Sequence, residues 1–562
     1  MGLDPLRAPR SRGGALIAVR QGALTLFAGL AHAASMGTPW DAQPLGWLQL
    51  LAMGVLVVQL DRCSSARQAA WTGWFFTTTW LYGTFWWLYI SLHTYGGLNA
   101  VLTVVSIVTL AGLLAVYYAV ACAVFARLAP TSKVFSALLF AGLWTMAEIC
   151  RGTWFTGFGW GAAGYAHLDG LAFLAKYIGS YGVGAVAAFL ACLLGLTISR
   201  WRTALPMGGN DSNAGANQWR GARRSWVRYV LVPGAALLLL VAMNSESLRG
   251  AFRQTYSTAA GTLEVALLQG NIAQDEKFQP GSGIADSLRW YGEQIAASKS
   301  PLIVAPETAI PILPRQLPEG YWDALVKPFA AGTQALLVGI PSGSYTDGYT
   351  NSVIGAGARQ PYRYDKHHLV PFGEFIPPLF KWFTRMMNIP LGDFNRGAVG
   401  QPSFEVQGQR LAPNICYEDL FGEELGARFA DPAKAPTIFV NVSNIGWFGN
   451  TVAIDQHLNI SRMRAIEFER PFIRATNTGA TVIIDHTGRV TDSLPRHTRG
   501  VLVAQVQGRS GTAQDGWGMT PFARWVSQFG LWPYWIFGLG MVAIAALSKR
   551  YFRDCGNKNA IL

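Results

Sequence analysis

The feature that most constrains the fold of this chain is a series of apolar stretches. Each is close to the roughly 20 residues that a helix needs to cross the hydrocarbon core of a bilayer. They predict eight transmembrane helices, seven before a long polar section and one after it. The predicted spans are residues 15–33, 44–60, 71–91, 99–126, 134–150, 177–198, 227–243 and 526–547.

Composition divides the chain in the same way. Charged residues make up 14% of it, whereas soluble domains usually contain roughly a quarter. The deficit is concentrated at the two ends, and the middle has the composition of an ordinary soluble domain. We therefore predict a membrane domain over residues 1–245, a globular domain over 262–506 and a C-terminal transmembrane helix over 526–548.

Basic residues predict the orientation of these spans, because cationic loops normally stay in the cytoplasm. With a cytoplasmic N-terminus, the short outer loops hold only Arg151 and Lys176, and the other membrane-flanking Lys and Arg lie inside. Seven spans then place the globular domain outside and the C-terminus inside. The "AHAAS" at 31–35 also fits a cleavable signal peptide, which would leave this topology unchanged. The globular part contains no dense basic patch of the kind that would indicate nucleic-acid binding.

Two ionisable residues, Glu148 and Arg151, lie three apart at the outer end of a predicted span. This spacing puts them on one helix face, where they can pair. An ionisable group at membrane depth often marks a substrate site, but anchoring at the interface explains the pair equally well. The sequence leaves both interpretations open.

Strands alternate with helices from Thr262 onward. "LEVALLQGNI" (263–272) and "ALLVGIPSG" (335–343) read as strands, and "GIADSLRWYGEQIAAS" (283–298) reads as an amphipathic helix. This alternation predicts an α/β or layered αββα fold. The sequence has no G-x-G-x-x-G after a strand, P-loop, C-x-x-C or H-E-x-x-H motif, so nothing indicates a nucleotide or zinc site, and we expect no metal or organic cofactor.

Cysteine use singles out one residue of the globular domain. The chain has six cysteines, and only Cys416 belongs to the part predicted to lie outside. Exported domains normally use cysteines in pairs as disulfides, and Cys416 has no partner within its domain. It is therefore either a buried inert residue or a reactive nucleophile.

Three predicted strand ends carry groups suited to acyl transfer. Cys416 follows "LAPNI", Glu307 follows "LIVAP", and Lys366 lies in "YRYDKHHLVPFGEF". Sheets of this class gather such ends at one edge. There a carboxylate can take the thiol proton, and an ammonium can stabilise an oxyanion. A histidine is a competing base: His367, His368 and His457 all lie in the same domain.

The motifs that hold these residues resemble those of the nitrilase superfamily. They are "PETAIP", "DKHHLVPFGEFIP" and "NICYEDLFGEE". Over nearly its full length the chain also resembles the apolipoprotein N-acyltransferase family, a membrane-bound branch. That wider match rests on the predicted spans together with "TYGGL", "EICRGTWFTGFGW", "LQGNI" and "SNIGWFG".

The resemblance implies a polytopic helical membrane domain that carries an αββα sandwich with a Glu–Lys–Cys triad. Glu307 would be the general base, Lys366 the oxyanion-stabilising lysine and Cys416 the nucleophile. Four residues would support them or contact substrate: Glu374, Tyr417, Glu418 and Trp447. Phe278 and Ile445 depart from the usual family residues, outside the triad.

The activity implied by the resemblance has two steps. A fatty acyl chain passes from a membrane phospholipid to Cys416 as a thioester. It then passes to the α-amino group of the N-terminal diacylglyceryl-cysteine of an apolipoprotein, at the periplasmic face of the bacterial inner membrane. The alternative within the same chemistry is a membrane-tethered amidase that releases the acyl group to water. A transporter or receptor would instead leave Cys416 without a chemical role.

Overall fold

The structure is a computed structural model that describes residues 12–204, 255–344, 346–357, 361–371, 373–375, 394–511 and 518–559. The predicted span 227–243 lies outside these residues. Six long helices come first: α1 (Arg12–Ala34), α2 (Gly46–Asp61), α3 (Ala66–Thr84), α4 (Ala100–Leu128), α5 (Lys133–Thr153) and α6 (Ala175–Ala204).

Three helical segments among the described residues are long and apolar enough to cross a membrane: Ala100–Leu128, Lys133–Thr156 and Leu171–Arg200. A bent pair near the C-terminus raises this to four if it counts as one span. Eight transmembrane helices are therefore not confirmed. The α2 helix is apolar but has only 16 residues, which makes it shorter than a typical span.

Two predicted spans differ from the observed helices. The span predicted at 71–91 ends earlier, because α3 stops at Thr84 and a short π-helix, Ile90–Tyr95, follows. The span predicted at 526–547 is broken between Pro521–Phe529 and Trp532–Tyr551, which meet at 84°. Gly530 lies at this break with φ of 53°, a left-handed conformation that glycine adopts without a steric penalty.

Among its described residues, the globular domain contains two six-stranded mixed sheets. The strands are β1 (Thr258–Gln269), β2 (Leu302–Val304), β3 (Ala335–Ser344), β4 (Gly348–Ala356), β5 (Tyr362–Asp365), β6 (Phe404–Val406), β7 (Gln409–Ile415), β8 (Ile438–Ser443), β9 (Phe472–Thr476), β10 (Val482–Ile484), β11 (Val490–Ser493) and β12 (Gly500–Ser510). The first sheet has the order β12–β1–β2–β3–β4–β5, and the second has the order β11–β10–β9–β8–β7–β6. In each sheet three central strands pair in parallel, and the outer pairings are antiparallel.

Alternating side chains divide each central strand between two cores, because successive residues of a strand point to opposite faces. Leu263, Val265 and Leu267 of β1 pack in the core between the sheets, whereas Ala266 and Leu268 pack in an outer core. That outer core is closed by α7 (Ala285–Ala297) and α8 (Tyr321–Val326).

On the far side of the second sheet, a further core is closed by α9 (Gly422–Gly426), α10 (Ala453–Phe468) and α11 (Pro521–Phe529). The last helix, α12, runs from Trp532 to Asn559. The layers therefore run helix, sheet, sheet, helix, and the predicted α/β class is confirmed.

The membrane helices and the globular domain are joined by buried hydrogen bonds. The Gln456 side chain of α10 accepts from the indoles of Trp87 and Trp160, at 3.0 and 2.8 Å, and donates to the Thr84 carbonyl at 3.3 Å. The Tyr165 hydroxyl also donates to the Leu420 carbonyl across this boundary, at 3.5 Å. These ends of the apolar helices thus form part of the support of the globular domain.

The two ionisable residues at the end of α5 brace the loop that follows it. Glu148 accepts a 2.7 Å hydrogen bond from the backbone N–H of Ala163. Arg151 donates to the carbonyls of Phe158 and Trp160, at 2.7 Å each. Both side chains are fully buried. The sequence left a substrate site and interfacial anchoring open, and these contacts within the protein indicate a third, structural role.

Candidate active site

The fold brings three of the predicted groups to one edge of the two sheets. Glu307 lies three residues after β2, and Cys416 directly follows β7. Both strands are central and parallel to a neighbour, so their carboxyl ends open at the same side of the sandwich. Lys366 directly follows β5, and its backbone N–H donates to the Asn351 carbonyl of β4 at 2.8 Å.

Cys416 occupies a sharp turn between β7 and a 3-10 segment, Cys416–Leu420. Its φ is 54°, a left-handed conformation that costs a non-glycine residue about 1–3 kcal/mol. Two buried side chains hold the turn by donating to the Cys416 carbonyl: Asn441 Nδ2 at 3.0 Å and His457 Nε2 at 3.1 Å. The surrounding structure therefore fixes the orientation of this residue.

The Cys416 thiol is protonated at rest. Burial raises the pKa of the thiol above its ordinary value; the charge of Glu307 adds to this effect and the ammonium of Lys366 opposes it. Since a thiol must lose its proton to attack well, this cysteine needs a base beside it.

Glu307 is held from several directions. Its Oε1 accepts from Asn351 Nδ2 at 2.8 Å and from Lys366 Nζ at 3.4 Å, and its Oε2 accepts from the backbone N–H of Asn444 at 2.9 Å. The side chain is nearly buried. These three hydrogen bonds fix the direction of the carboxylate and leave one lone pair on Oε2, as a general base requires.

Lys366 lies between two carboxylates. Its Nζ is 2.8 Å from Glu374 Oε1 and 3.4 Å from Glu307 Oε1, and Asn351 Nδ2 donates to both of these oxygens. Burial opposes the charged form of Lys366, but the carboxylates of Glu374 and Glu307 outweigh this effect and raise the pKa of its ammonium. Lys366 therefore stays protonated and can act as an electrostatic donor.

The rings of the three candidate histidines contact groups other than the Cys416 thiol. His457 Nδ1 accepts from Arg474 at 3.0 Å, so its Nε2–H is the donor to Asp419 and to the Cys416 carbonyl. His368 contacts Glu424 through Nδ1 and the Thr156 carbonyl through Nε2. His367 Nδ1 donates to the Gly397 carbonyl. These contacts favour Glu307 over a histidine as the base.

Glu418 ties the nucleophile turn to the lysine segment. Its Oε1 accepts from the backbone N–H groups of His367 and His368 at 2.7 and 3.1 Å. Its Oε2 accepts from the Ile415 N–H and the Tyr364 hydroxyl, at 2.7 Å each. The carboxylate is buried and acts as a clamp between the nucleophile turn and the lysine segment. Its role is structural rather than chemical.

We expect Glu418→Gln to destabilise the protein by roughly 2–3 kcal/mol and to reduce activity. The glutamine amide must point its N–H groups at a pair of donors, leaving buried groups unsatisfied. A lower midpoint of thermal unfolding in detergent would show this. Glu405→Gln, which changes an exposed glutamate in β6, is the matched control and should leave the midpoint unchanged. Equal midpoints for both variants would contradict the clamp.

Tyr417 and Trp447 face the membrane helices. The Tyr417 hydroxyl donates to the Gly157 carbonyl at 2.9 Å, and its ring stacks on Phe158. The Trp447 ring lies edge-on to Tyr95, and its carbonyl accepts from the Ser91 hydroxyl at 2.7 Å. These two predicted residues therefore lie at the junction with the membrane domain, next to the site.

Several residues that contact the charged cluster were not predicted, among them Asn351, Asn444 and Lys277. Asn351 and Asn444 bind the Glu307 carboxylate, and Lys277 Nζ donates to the Glu307 carbonyl at 3.1 Å. Lys277 sits in "QDEKF", eight residues after β1 ends at Gln269. It therefore lacks the close position after a strand end that drew attention to Glu307 and Cys416.

Comparisons with known proteins find relatives for both parts of the chain. The model of the apolipoprotein N-acyltransferase N-terminal domain matches residues 28–193, and that of the carbon–nitrogen hydrolase family matches residues 264–514. The apolipoprotein N-acyltransferase of Verminephrobacter eiseniae is 55% identical over 521 residues, covering 90% of this chain and 92% of the relative. That of Ralstonia nicotianae is 41% identical over 511 residues, covering 90% and 89%.

Both the membrane part and the globular part therefore have counterparts in the same relatives, and the match runs along nearly the whole of each chain. The resemblance inferred from the motifs is confirmed. This protein belongs to the apolipoprotein N-acyltransferase family, within the carbon–nitrogen hydrolase superfamily.

Proposed function

We propose that the protein moves a fatty acyl chain from a membrane phospholipid to the α-amino group of the N-terminal diacylglyceryl-cysteine of apolipoproteins. Its family membership supports the reaction. The observation that carries the proposal is the position of the candidate nucleophile. Its turn is joined to the loop after α5 by the hydrogen bond from the Tyr417 hydroxyl to the Gly157 carbonyl. This position suits an enzyme whose two substrates are lipids held in a membrane.

In the first step, the Cys416 sulfur attacks the carbonyl carbon of a phospholipid ester, and Glu307 takes the thiol proton. Lys366 stabilises the negative charge that develops on the carbonyl oxygen. The tetrahedral intermediate then breaks its bond to the glycerol oxygen, which takes the proton from Glu307. The products are an acyl thioester on Cys416 and a lysophospholipid.

In the second step, the neutral α-amino group of the acceptor attacks the thioester carbonyl. Glu307 takes a proton from the attacking nitrogen, and the C–S bond breaks. The sulfur recovers its proton from Glu307, so the enzyme returns to its starting state with an amide product. One carboxylate thus serves both half-reactions of a ping-pong cycle, as acid and as base.

The layout that we propose for this reaction has eight transmembrane helices, with the membrane domain at residues 1–245, the catalytic domain at 262–506 and the closing helix at 526–548. The catalytic domain faces the periplasm and both termini face the cytoplasm of an inner-membrane protein. The three best-defined spans and the short outer loops support this layout.

The acceptor distinguishes this reaction from the amidase alternative. We expect purified protein, supplied with a phospholipid that carries a labelled acyl chain, to label a diacylated lipopeptide with a free N-terminus. The same lipopeptide with an acetylated N-terminus is the control and should remain unlabelled. Rapid release of labelled fatty acid at the same rate with both peptides would instead indicate transfer to water.

A further inference from the structure

Lys277 is a fully buried lysine beside the candidate base, and the proposed reaction gives it no role. It lies in a turn after β1, where its backbone N–H donates to the Ala273 carbonyl at 2.9 Å. Gly283 packs directly against this turn, so that a side chain there would collide with the backbone of Glu276 and Lys277. The position of Lys277 is thus fixed by its own segment.

The ammonium of Lys277 reaches the turn that carries Glu307. Its Nζ donates to the Glu307 main-chain carbonyl at 3.1 Å. The next residue, Thr308, has φ of 48°, so this turn contains a left-handed non-glycine residue that its surroundings must hold in place. The Lys277 contact is one of the bonds that do so.

Charge balance gives Lys277 a second role. Two carboxylates, Glu307 and Glu374, face the cluster, and Lys366 lies closer to Glu374, at 2.8 Å, than to Glu307, at 3.4 Å. The positive charge of Lys366 is therefore shared, with the shorter contact on the other carboxylate. Lys277 approaches Glu307 from its backbone side and adds a second cation there.

We propose that Lys277 is a positioning residue for Glu307, which fixes the turn of the base and keeps its carboxylate ionised so that it can accept the Cys416 proton. The inference rests on the proposed function, because it assigns Lys277 to the proton transfer of that reaction. It extends that function with a second lysine that acts through Glu307 and does not contact the reacting atoms.

Electrostatics give this role a pH range. Burial lowers the pKa of Lys277 to about 7, although Glu307 and Cys416 oppose the shift. The charged groups that act on it are Glu307 and Cys416. Lys277 is therefore cationic below about pH 7 and loses its charge above that pH.

The test is the pH dependence of single-turnover acylation of Cys416 by phospholipid, followed by mass spectrometry of the full-length protein. We compare the native chain, Lys277→Met and Lys277→Arg. Lys299→Met, which removes an exposed lysine of the same domain, is the matched control. Without the positive charge, Glu307 is protonated more easily. We therefore expect the acid limb of Lys277→Met to move upward by about one pH unit.

Lys277→Arg keeps the charge and should keep the acid limb within a few tenths of a unit of the native position, even if its rate falls. Lys277→Arg also tests the proposal where Lys277→Met fails to fold, because a shift of its acid limb would overturn the proposal. So would a folded Lys277→Met whose rate falls equally at every pH, because that is the result of a purely structural lysine. A native chain that forms no acyl adduct would overturn the proposed function itself.

Discussion

Replacing Cys416 with alanine is expected to abolish acyl transfer, with a loss of at least about 10⁴-fold in rate. Without the sulfur no thioester can form. Binding of both lipids at the site does not provide another covalent route for transfer of the acyl chain. The rate of lipopeptide N-acylation measures the effect. Cys63→Ala is the matched control, because Cys63 is also a free, partly exposed cysteine but lies far along the chain, between α2 and α3.

The control should retain native activity. An active Cys416→Ala variant, with the control also active, would remove Cys416 from the mechanism. The backbone supplies a second comparison: because φ at Cys416 is 54°, Cys416→Gly should unfold at a higher temperature than Cys416→Ala, by the equivalent of about 1 kcal/mol. Both variants should be inactive, which separates strain at the turn from chemistry.

The second large effect is expected at Lys366. Lys366→Met removes the cation between Glu307 and Glu374 and leaves two buried carboxylates that share one amide donor, Asn351. Breaking a buried charge cluster in this way typically costs about 3–5 kcal/mol. Loss of the oxyanion donor should also lower the rate by at least about 10²–10³-fold. Thermal unfolding and single-turnover acylation measure the two effects separately.

A double variant distinguishes stability from catalysis at this cluster. Adding Glu374→Gln to Lys366→Met removes one of the two facing charges, so we expect much of the lost stability to return while activity stays absent. Lys434→Met, at an exposed position of the same domain, should change neither property. If the double variant is no more stable than Lys366→Met, repulsion between the carboxylates is not the source of the loss.

Much of the fold could be predicted from hydrophobic patterns, and the exceptions have physical causes. The central strand β2 (Leu302–Val304) is a continuous apolar run because both of its faces are buried. The edge strand β12 was missed because most of it is only half-buried and it contains several polar residues. The break at Gly530 was also missed, since a single glycine in an apolar run does not by itself predict an 84° bend.

The candidate site divides in the same way. Glu307, Lys366 and Cys416 could be proposed because each follows a recognisable strand and lies in a motif. Lys277 and Asn351 could not, because their partners lie 30 and 44 residues away and meet them only in the folded chain. Glu418 was placed beside the nucleophile, but its clamp on His367 depends on how two distant segments pack.

The most direct test of the account is intact-protein mass spectrometry after the full-length protein is mixed with a phospholipid and no acceptor. We predict a mass increase of one acyl chain that hydroxylamine removes and that maps to Cys416. The adduct should disappear on adding a lipopeptide with a free N-terminus, as the chain moves to the amine. Native transfer activity without an adduct, together with full activity in Cys416→Ser, would contradict a thioester at Cys416.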